Sequence, residues 1–161
     1  MLKRILFGGD GTGSPAGDVG LMLLRGFVGL AMALTHGLGK VRNPSGIIQG
    51  AAALGFPAPT LFGWAAALSE FAGGLLLAFG LLTRPSAFLI ASTMTVAAFV
   101  RHARDPFQIK ELAVLYFMVG ICFLFTGSGR YGLDALFRRS DRDRLPDPGG
   151  SDVTGTPAAR R

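Results

Sequence analysis

Four ionisable side chains interrupt the long apolar stretches of this chain: Arg25, His36, Glu70 and Glu111. Charged groups are costly in an apolar environment, so they usually mark a functional site or pair with one another. A histidine exchanges protons near neutral pH, a carboxylate can accept and hold a proton, and an arginine can balance its charge. The pattern predicts a ligand or proton site. Ion pairing that only holds helices together is the alternative.

Helical spacing places several of these residues on shared faces. Arg25 and His36 are 11 residues apart, about 1100° at ~100° per residue, so they share a face with Lys40. Glu70 shares its face with glycines, which let another helix approach closely. We therefore predict that Glu70 faces the interior of a helix bundle.

The remaining candidates lie at predicted helix ends. His102 is either part of the same site or an anchor at the membrane surface, and Glu111 is either a site residue or a first-turn carboxylate favoured by the helix dipole. The two histidines could ligate haem, but their spacing does not require it. With Cys122 as the single cysteine, neither an internal disulfide nor a zinc cluster is predicted, so no metal site is expected.

Composition indicates the elements that carry these residues. Hydrophobic residues make up 50% of the 161-residue chain and charged residues 16%, against roughly 25% charged in soluble domains. The apolar residues form blocks long enough to cross the ~30 Å hydrocarbon core of a bilayer. We predict an all-α integral membrane protein, an antiparallel four-helix bundle. Its predicted spans are about residues 19–41, 63–82, 86–102 and 109–127.

Outside the spans the sequence is rich in glycine, proline and charge. Residues 1–18 are predicted as a flexible lead-in with Asp18 capping the first helix, and residues 138–161 as a disordered charged tail. Residues 19–137 form the membrane domain. Between the first two spans, Ser45 could begin a short interfacial helix that ends near Leu54.

The net charge of +6 does not indicate nucleic-acid binding, because the basic residues flank the apolar blocks and fill the tail. Their distribution favours both termini in the cytoplasm. With that topology His36, Glu70, His102 and Glu111 fall toward the outer side, and Arg25 lies deeper. We predict a polar pocket in which His36 and Glu70 form one coupled site, with Arg25 below it balancing the charge.

Several short motifs also carry a resemblance. They are Leu24–Gly26, His36–Gly37 and Lys40 in the first helix, Glu70–Gly74 and Gly80–Arg84 around the second, and Lys110–Tyr116 and Gly127–Asp134 around the fourth. Their order and spacing resemble the DoxX family of small bacterial four-helix membrane proteins, over about residues 20–135. The family often has proline where this chain has Ser128. The resemblance implies a bacterial inner-membrane protein, with some relatives linked to quinone-coupled sulfur oxidation or to membrane oxidoreductase complexes.

Three functions are compatible with these features. The leading hypothesis is a subunit of a membrane oxidoreductase that binds a quinone-like or other lipophilic molecule, with a redox partner protein. Its pocket would be lined by Arg25, His36, Glu70 and Glu111. The second is a non-enzymatic anchor or scaffold for a partner complex. The third is a small transporter, which four spans without an internal repeat disfavour unless a homo-oligomer forms the path.

Overall fold

The computed structural model describes residues 11–137, and the regular structure within them is entirely helical. The helices are α1 (Pro15–Arg42), α2 (Ser45–Ala53), α3 (Pro59–Phe79), α4 (Thr83–Arg101) and α5 (Phe107–Thr126). All but α2 are long and apolar enough to cross a membrane, which confirms the predicted all-α membrane bundle. Residues 1–10 of the predicted lead-in and the predicted tail at 138–161 lie outside the described residues.

Helix α1 begins one turn earlier than predicted. Ser14 is its N-cap, with the side-chain hydroxyl accepting a hydrogen bond from the Gly17 amide at 3.5 Å, and Pro15 occupies the first helical position. Proline fits there because its missing N–H would have no partner in the helix anyway. Asp18 is therefore not the cap. Its carboxylate is buried in the first turn and accepts a hydrogen bond from the Thr12 amide at 2.8 Å.

The other spans also begin and end at local signals. Pro59 starts α3 four residues before the predicted position, and Pro106 directly precedes α5. Gly80 ends α3 in the left-handed conformation, with φ +68°, which glycine adopts without steric cost. The short helix α2 occupies the position predicted for an interfacial helix and packs against α3, where Ile48 lies over Gly63.

Two spans contain a π-helical segment. Residues Met32–Gly37 of α1 and Val96–Arg101 of α4 have this geometry. A π-helix bonds each residue to the fifth residue along, so each turn holds more residues than an α-helical turn. The angular relation between Arg25 and His36, calculated for a regular α-helix, therefore does not hold across this segment.

Consecutive spans pack antiparallel around a shared core. Helix α1 lies on α3, α3 on α4, and α4 on α5. The core between them contains Met32, Leu77, Ile90 and Phe123, while large apolar side chains such as Phe27 and Phe125 face outward. We call the end where α1 begins and α5 finishes the terminal end, and the opposite one, which carries α2, the α2 end.

Glycines set the close approach of α1 to α3. A methyl group added at Gly37 would overlap the backbone of Glu70 and Phe71, and one at Gly74 would lie 2.8 Å from the Gly29 carbonyl oxygen. Backbone atoms cannot move aside as side chains do, so these positions admit no side chain without separating the helices. This contact fixes the depth at which Glu70 faces α1.

Replacing Gly37 with alanine should therefore destabilise the bundle by about 1–3 kcal/mol, the usual cost of overpacking. The matched control is Gly39→Ala on the same helix, where an added methyl group meets nothing within 4 Å. Unfolding of the purified protein by titration with denaturing detergent would compare the two. Equal stabilities of the two variants would contradict the close contact at Gly37.

Candidate functional site

Glu70 lies inside the bundle and forms an ion pair with Lys40. Glu70 is 1% exposed, which confirms the prediction that it faces the interior of the bundle. The Lys40 ammonium donates to both carboxylate oxygens at 2.5 Å. Because α3 begins at Pro59, Glu70 is 11 residues into its helix, or about 16 Å. It is thus deeper than the ~10 Å calculated from the predicted start of the helix.

The second pair of polar groups joins α1 to α5. The rings of His36 and Tyr116 meet edge to face, with centroids 5.7 Å apart, and Tyr116 is buried. Gly37, which follows His36, packs on the backbone of Glu70, so this ring pair lies at the level of the ion pair. We call His36, Lys40, Glu70 and Tyr116 the polar layer.

Within the described part of the chain, neither the His36 imidazole nor the Tyr116 hydroxyl makes a hydrogen bond to another residue. Polar groups inside a membrane protein normally find such partners, since lipid offers none. The layer therefore combines a carboxylate already neutralised by an ammonium group with two groups that retain hydrogen-bonding capacity. Such a set can orient a neutral polar molecule and exchange a proton with it.

Arg25 belongs to a different cluster, at the terminal end. Its guanidinium donates to the backbone carbonyls of Ser128 at 2.7 Å and Tyr131 at 3.4 Å, and the carboxylate of Asp134 attracts it electrostatically. Arg25 is 2% exposed and Asp134 is fully buried. We call these four residues the Arg25 cluster. It ties α1 to the segment that follows α5.

Asp134 connects this cluster to the start of α4. Its two carboxylate oxygens accept hydrogen bonds from the amides of Leu82 at 2.8 Å and Thr83 at 3.0 Å, which satisfies amides that the first turn of a helix leaves free. The Asp134 amide in turn donates to the Gly80 carbonyl at 2.8 Å. Gly80 and Gly132 leave the space that the guanidinium fills, because a methyl group at either would overlap it.

The structure therefore brings together some predicted site residues and separates others. His36, Lys40 and Glu70 share the polar layer, whereas Arg25 lies with the 128–134 segment and not beneath Glu70.

His102 pairs with Asp105 three residues along, its Nδ1 2.7 Å from the carboxylate, so it stabilises the α4–α5 loop. Glu111 is exposed on α5. The described residues contain no group of three or more His, Cys, Asp or Glu side chains placed to hold a metal ion.

Two residues of the observed clusters, Tyr116 and Asp134, were not among the site residues predicted from the sequence. Tyr116 was named only as the end of the Lys110–Tyr116 motif, because a tyrosine in an apolar helix carries no charge that would mark it as a site residue. Asp134 lay beyond the last predicted span. Its signal was the run of glycines before it, which indicates a tight turn able to bring a carboxylate back onto the bundle.

Comparison with known proteins agrees with this architecture. The DoxX family model matches residues 20–103. A protein of Haemophilus influenzae named "Uncharacterized protein" is 33% identical over 114 residues, 66% of this chain and 82% of the relative. "Putative oxidoreductase CatD" of Bacillus subtilis is 32% identical over 118 residues, with coverages of 73% and 86%. "Inner membrane protein YqjF" of Escherichia coli is 31% identical over 129 residues, with coverages of 76% and 95%. No solved structure matches the chain.

Proposed function

Since this chain belongs to the DoxX family of membrane proteins, we propose that it is a component of a membrane oxidoreductase system. In this proposal the polar layer of the chain binds the head group of a quinone or a chemically similar lipophilic molecule. The observation that carries the proposal is the pair of hydrogen-bonding groups, His36 and Tyr116, that have no partner among the described residues beside a buried ion pair. The relative named "Putative oxidoreductase CatD" supports the oxidoreductase part of this proposal.

A quinone head group suits the chemistry of the layer. It is a flat ring with two carbonyl oxygens that accept hydrogen bonds, and its reduction requires protons at those oxygens. The Tyr116 hydroxyl and one nitrogen of His36 can donate to them. The core residue Met94 is buried in the same cluster as Tyr116 and gives the ring an apolar, adaptable neighbour.

The ion pair would set the electrostatics of the bound state. The Lys40 ammonium lies 2.5 Å from the Glu70 carboxylate and offsets its charge inside the bundle. The pair is net neutral, so a neutral ligand can lie beside it without a large desolvation cost. When a ligand oxygen gains negative charge, the same ammonium group already lies in the layer and can reorient toward that oxygen.

The family and the four membrane-spanning helices support a location in the inner membrane. The protein is a multi-pass protein of the inner membrane and contacts the lipid bilayer. We propose that both termini face the cytoplasm, as the basic residues near the terminal end favour, and that electrons come from or pass to a partner protein.

The test is ligand analysis of the purified full-length protein. Lipid extracted from it should contain a quinone, and a short-chain ubiquinone or menaquinone should raise its thermal stability in detergent. Tyr116→Phe and His36→Phe should each weaken binding about fivefold, since one hydrogen bond contributes about 1 kcal/mol. The matched control is Tyr131→Phe, because Tyr131 is exposed and joins the Arg25 cluster through its backbone carbonyl alone. Absence of quinone binding, or equal affinities of the Tyr116 and Tyr131 variants, would contradict the proposal.

The Lys40–Glu70 pair also supports a second function. A neutralised pair that joins α1 to α3 can stabilise the bundle without any ligand. The chain would then be a non-enzymatic anchor for a partner complex. Isolation of the native protein from membranes separates the two functions: a partner that co-purifies stoichiometrically without quinone supports the anchor.

A further inference from the structure

We infer that the polar layer is accessible to water from one end of the bundle alone, the α2 end. The inference concerns the route by which protons and polar solutes reach the layer. It goes beyond the proposed function, because it holds or fails whichever molecule binds there.

The terminal side of the layer is filled by three large apolar residues. Met32, Leu77 and Phe123 are each 0–1% exposed and belong to one core cluster. Each lies, along its own helix, between the polar layer and the terminal end. Met32 precedes His36 on α1, Leu77 follows Glu70 on α3, and Phe123 follows Tyr116 on α5. Close-packed apolar side chains leave no chain of polar groups that could hold water.

Beyond these apolar residues the Arg25 cluster closes the terminal end. Arg25 is 2% exposed, and Ser128 and Asp134 are 2% and 0% exposed. The two Nη atoms of Arg25 donate to backbone carbonyls, and the Asp134 carboxylate accepts from backbone amides. Nε of Arg25 is buried without a hydrogen-bond partner among the described residues, so none of these buried groups lines an open channel. Water that reached this end would meet first a hydrogen-bonded cluster and then a packed apolar layer.

The α2 end differs, because Lys40 connects the layer to the surface. The Lys40 side chain is 34% exposed, whereas the carboxylate side chain that it binds is 2% exposed. Lys40 lies two residues before the end of α1 at Arg42. One side chain therefore touches both the buried carboxylate and the outside of the bundle.

Proton exchange with the polar layer would therefore occur on one side of the membrane. Protons that the layer takes up or releases would come from, or go to, the aqueous phase on the α2 side. An apolar ligand could still enter between helices from the lipid, since its route does not require water.

Cysteine modification in the intact membrane tests this inference. In a Cys122→Ser background, which removes the one native thiol, single cysteines replace His36 in the polar layer and Met32 among the buried apolar residues on its terminal side. Two exposed positions report the sides: Gln49 on α2 and Thr12 before α1. A membrane-impermeant, thiolate-specific methanethiosulfonate is added to spheroplasts or to inverted vesicles.

We expect His36→Cys to react from the side that modifies Gln49→Cys, about tenfold or more faster than from the side that modifies Thr12→Cys, because reaction requires a hydrated thiolate. Met32→Cys should resist from both sides. Reaction of His36→Cys from the Thr12 side, or from neither side, would overturn the inference, as would reaction of Met32→Cys from the Thr12 side.

Lys40→Cys provides an independent reading, because it leaves the His36–Tyr116 contact intact and should show the same sidedness as His36→Cys. Modification by this reagent does not depend on quinone. A protein that binds no quinone but reacts from the α2 side alone would contradict the proposed function and support the inference, and a quinone-binding protein that reacts from the terminal side would do the reverse.

Discussion

Replacing Arg25 with leucine should destabilise the folded bundle by about 3–5 kcal/mol, the range measured when one partner of a buried charged pair is removed. The change deletes two hydrogen bonds from the guanidinium to the carbonyls of Ser128 and Tyr131. It also leaves the buried carboxylate of Asp134 without the positive charge that attracts it. Denaturant titration of the purified protein in detergent micelles would measure the loss.

The matched control is Arg130→Leu. Arg130 lies in the same segment but is exposed, so its loss should change stability by about 0.5 kcal/mol or less. Arg25→Lys should retain part of the stability, because an ammonium group keeps the charge but cannot reach two carbonyls in the same planar geometry. Comparable losses for Arg25→Leu and Arg130→Leu would show that the cluster does not hold the bundle together.

The second large effect is expected at the Lys40–Glu70 pair. Lys40→Met should be far more harmful in the native background than in a Glu70→Leu background, because only the first combination leaves a buried carboxylate without its cation. The coupling free energy should fall within about 1–3 kcal/mol, toward the lower part of that range because the Lys40 side chain is 34% exposed at the surface of the bundle. A double-mutant cycle on unfolding free energies measures it.

The same cycle drawn between Arg25 and Glu70 serves as the control. These residues lie at different levels and share no partner in the described structure, so their effects should add within about 0.5 kcal/mol. The sequence-based hypothesis, which placed Arg25 beneath Glu70 in one coupled site, predicts strong coupling instead. The outcome decides between the two arrangements.

The spans and the inward direction of Glu70 were predictable because both depend on local patterns. Long apolar blocks identify membrane helices, since the bilayer core must be crossed by about 20 residues. The glycine face around Glu70 indicated close contact with another helix, and Gly74 does meet the backbone of α1. These signals lie within one helix and do not depend on distant parts of the chain.

The partners of the polar residues were not predictable in the same way. Arg25 pairs with a segment whose path depends on Gly127 and Gly129, both with φ near +69°, and no helical periodicity describes such a turn. The π-helical segment Met32–Gly37 changes the phase of α1 beyond Ala31, so extrapolation from Arg25 to His36 at a constant angle fails there. No sequence pattern indicated a role for Tyr116, because that role depends on its contact with His36 of another helix.

The Arg25 cluster imposes an order on biosynthesis. The hydrogen bond from Arg25 to Ser128 joins residues 103 positions apart, so the arginine enters the membrane long before its acceptors exist. At roughly 5–20 residues per second, it must wait about 5–20 s while the ribosome makes the rest of the bundle. An arginine within a membrane helix costs about 2.5–3.5 kcal/mol. The nascent protein thus carries a strained first helix through most of its synthesis, and release of the segment around residues 128–134 from the ribosome completes the fold.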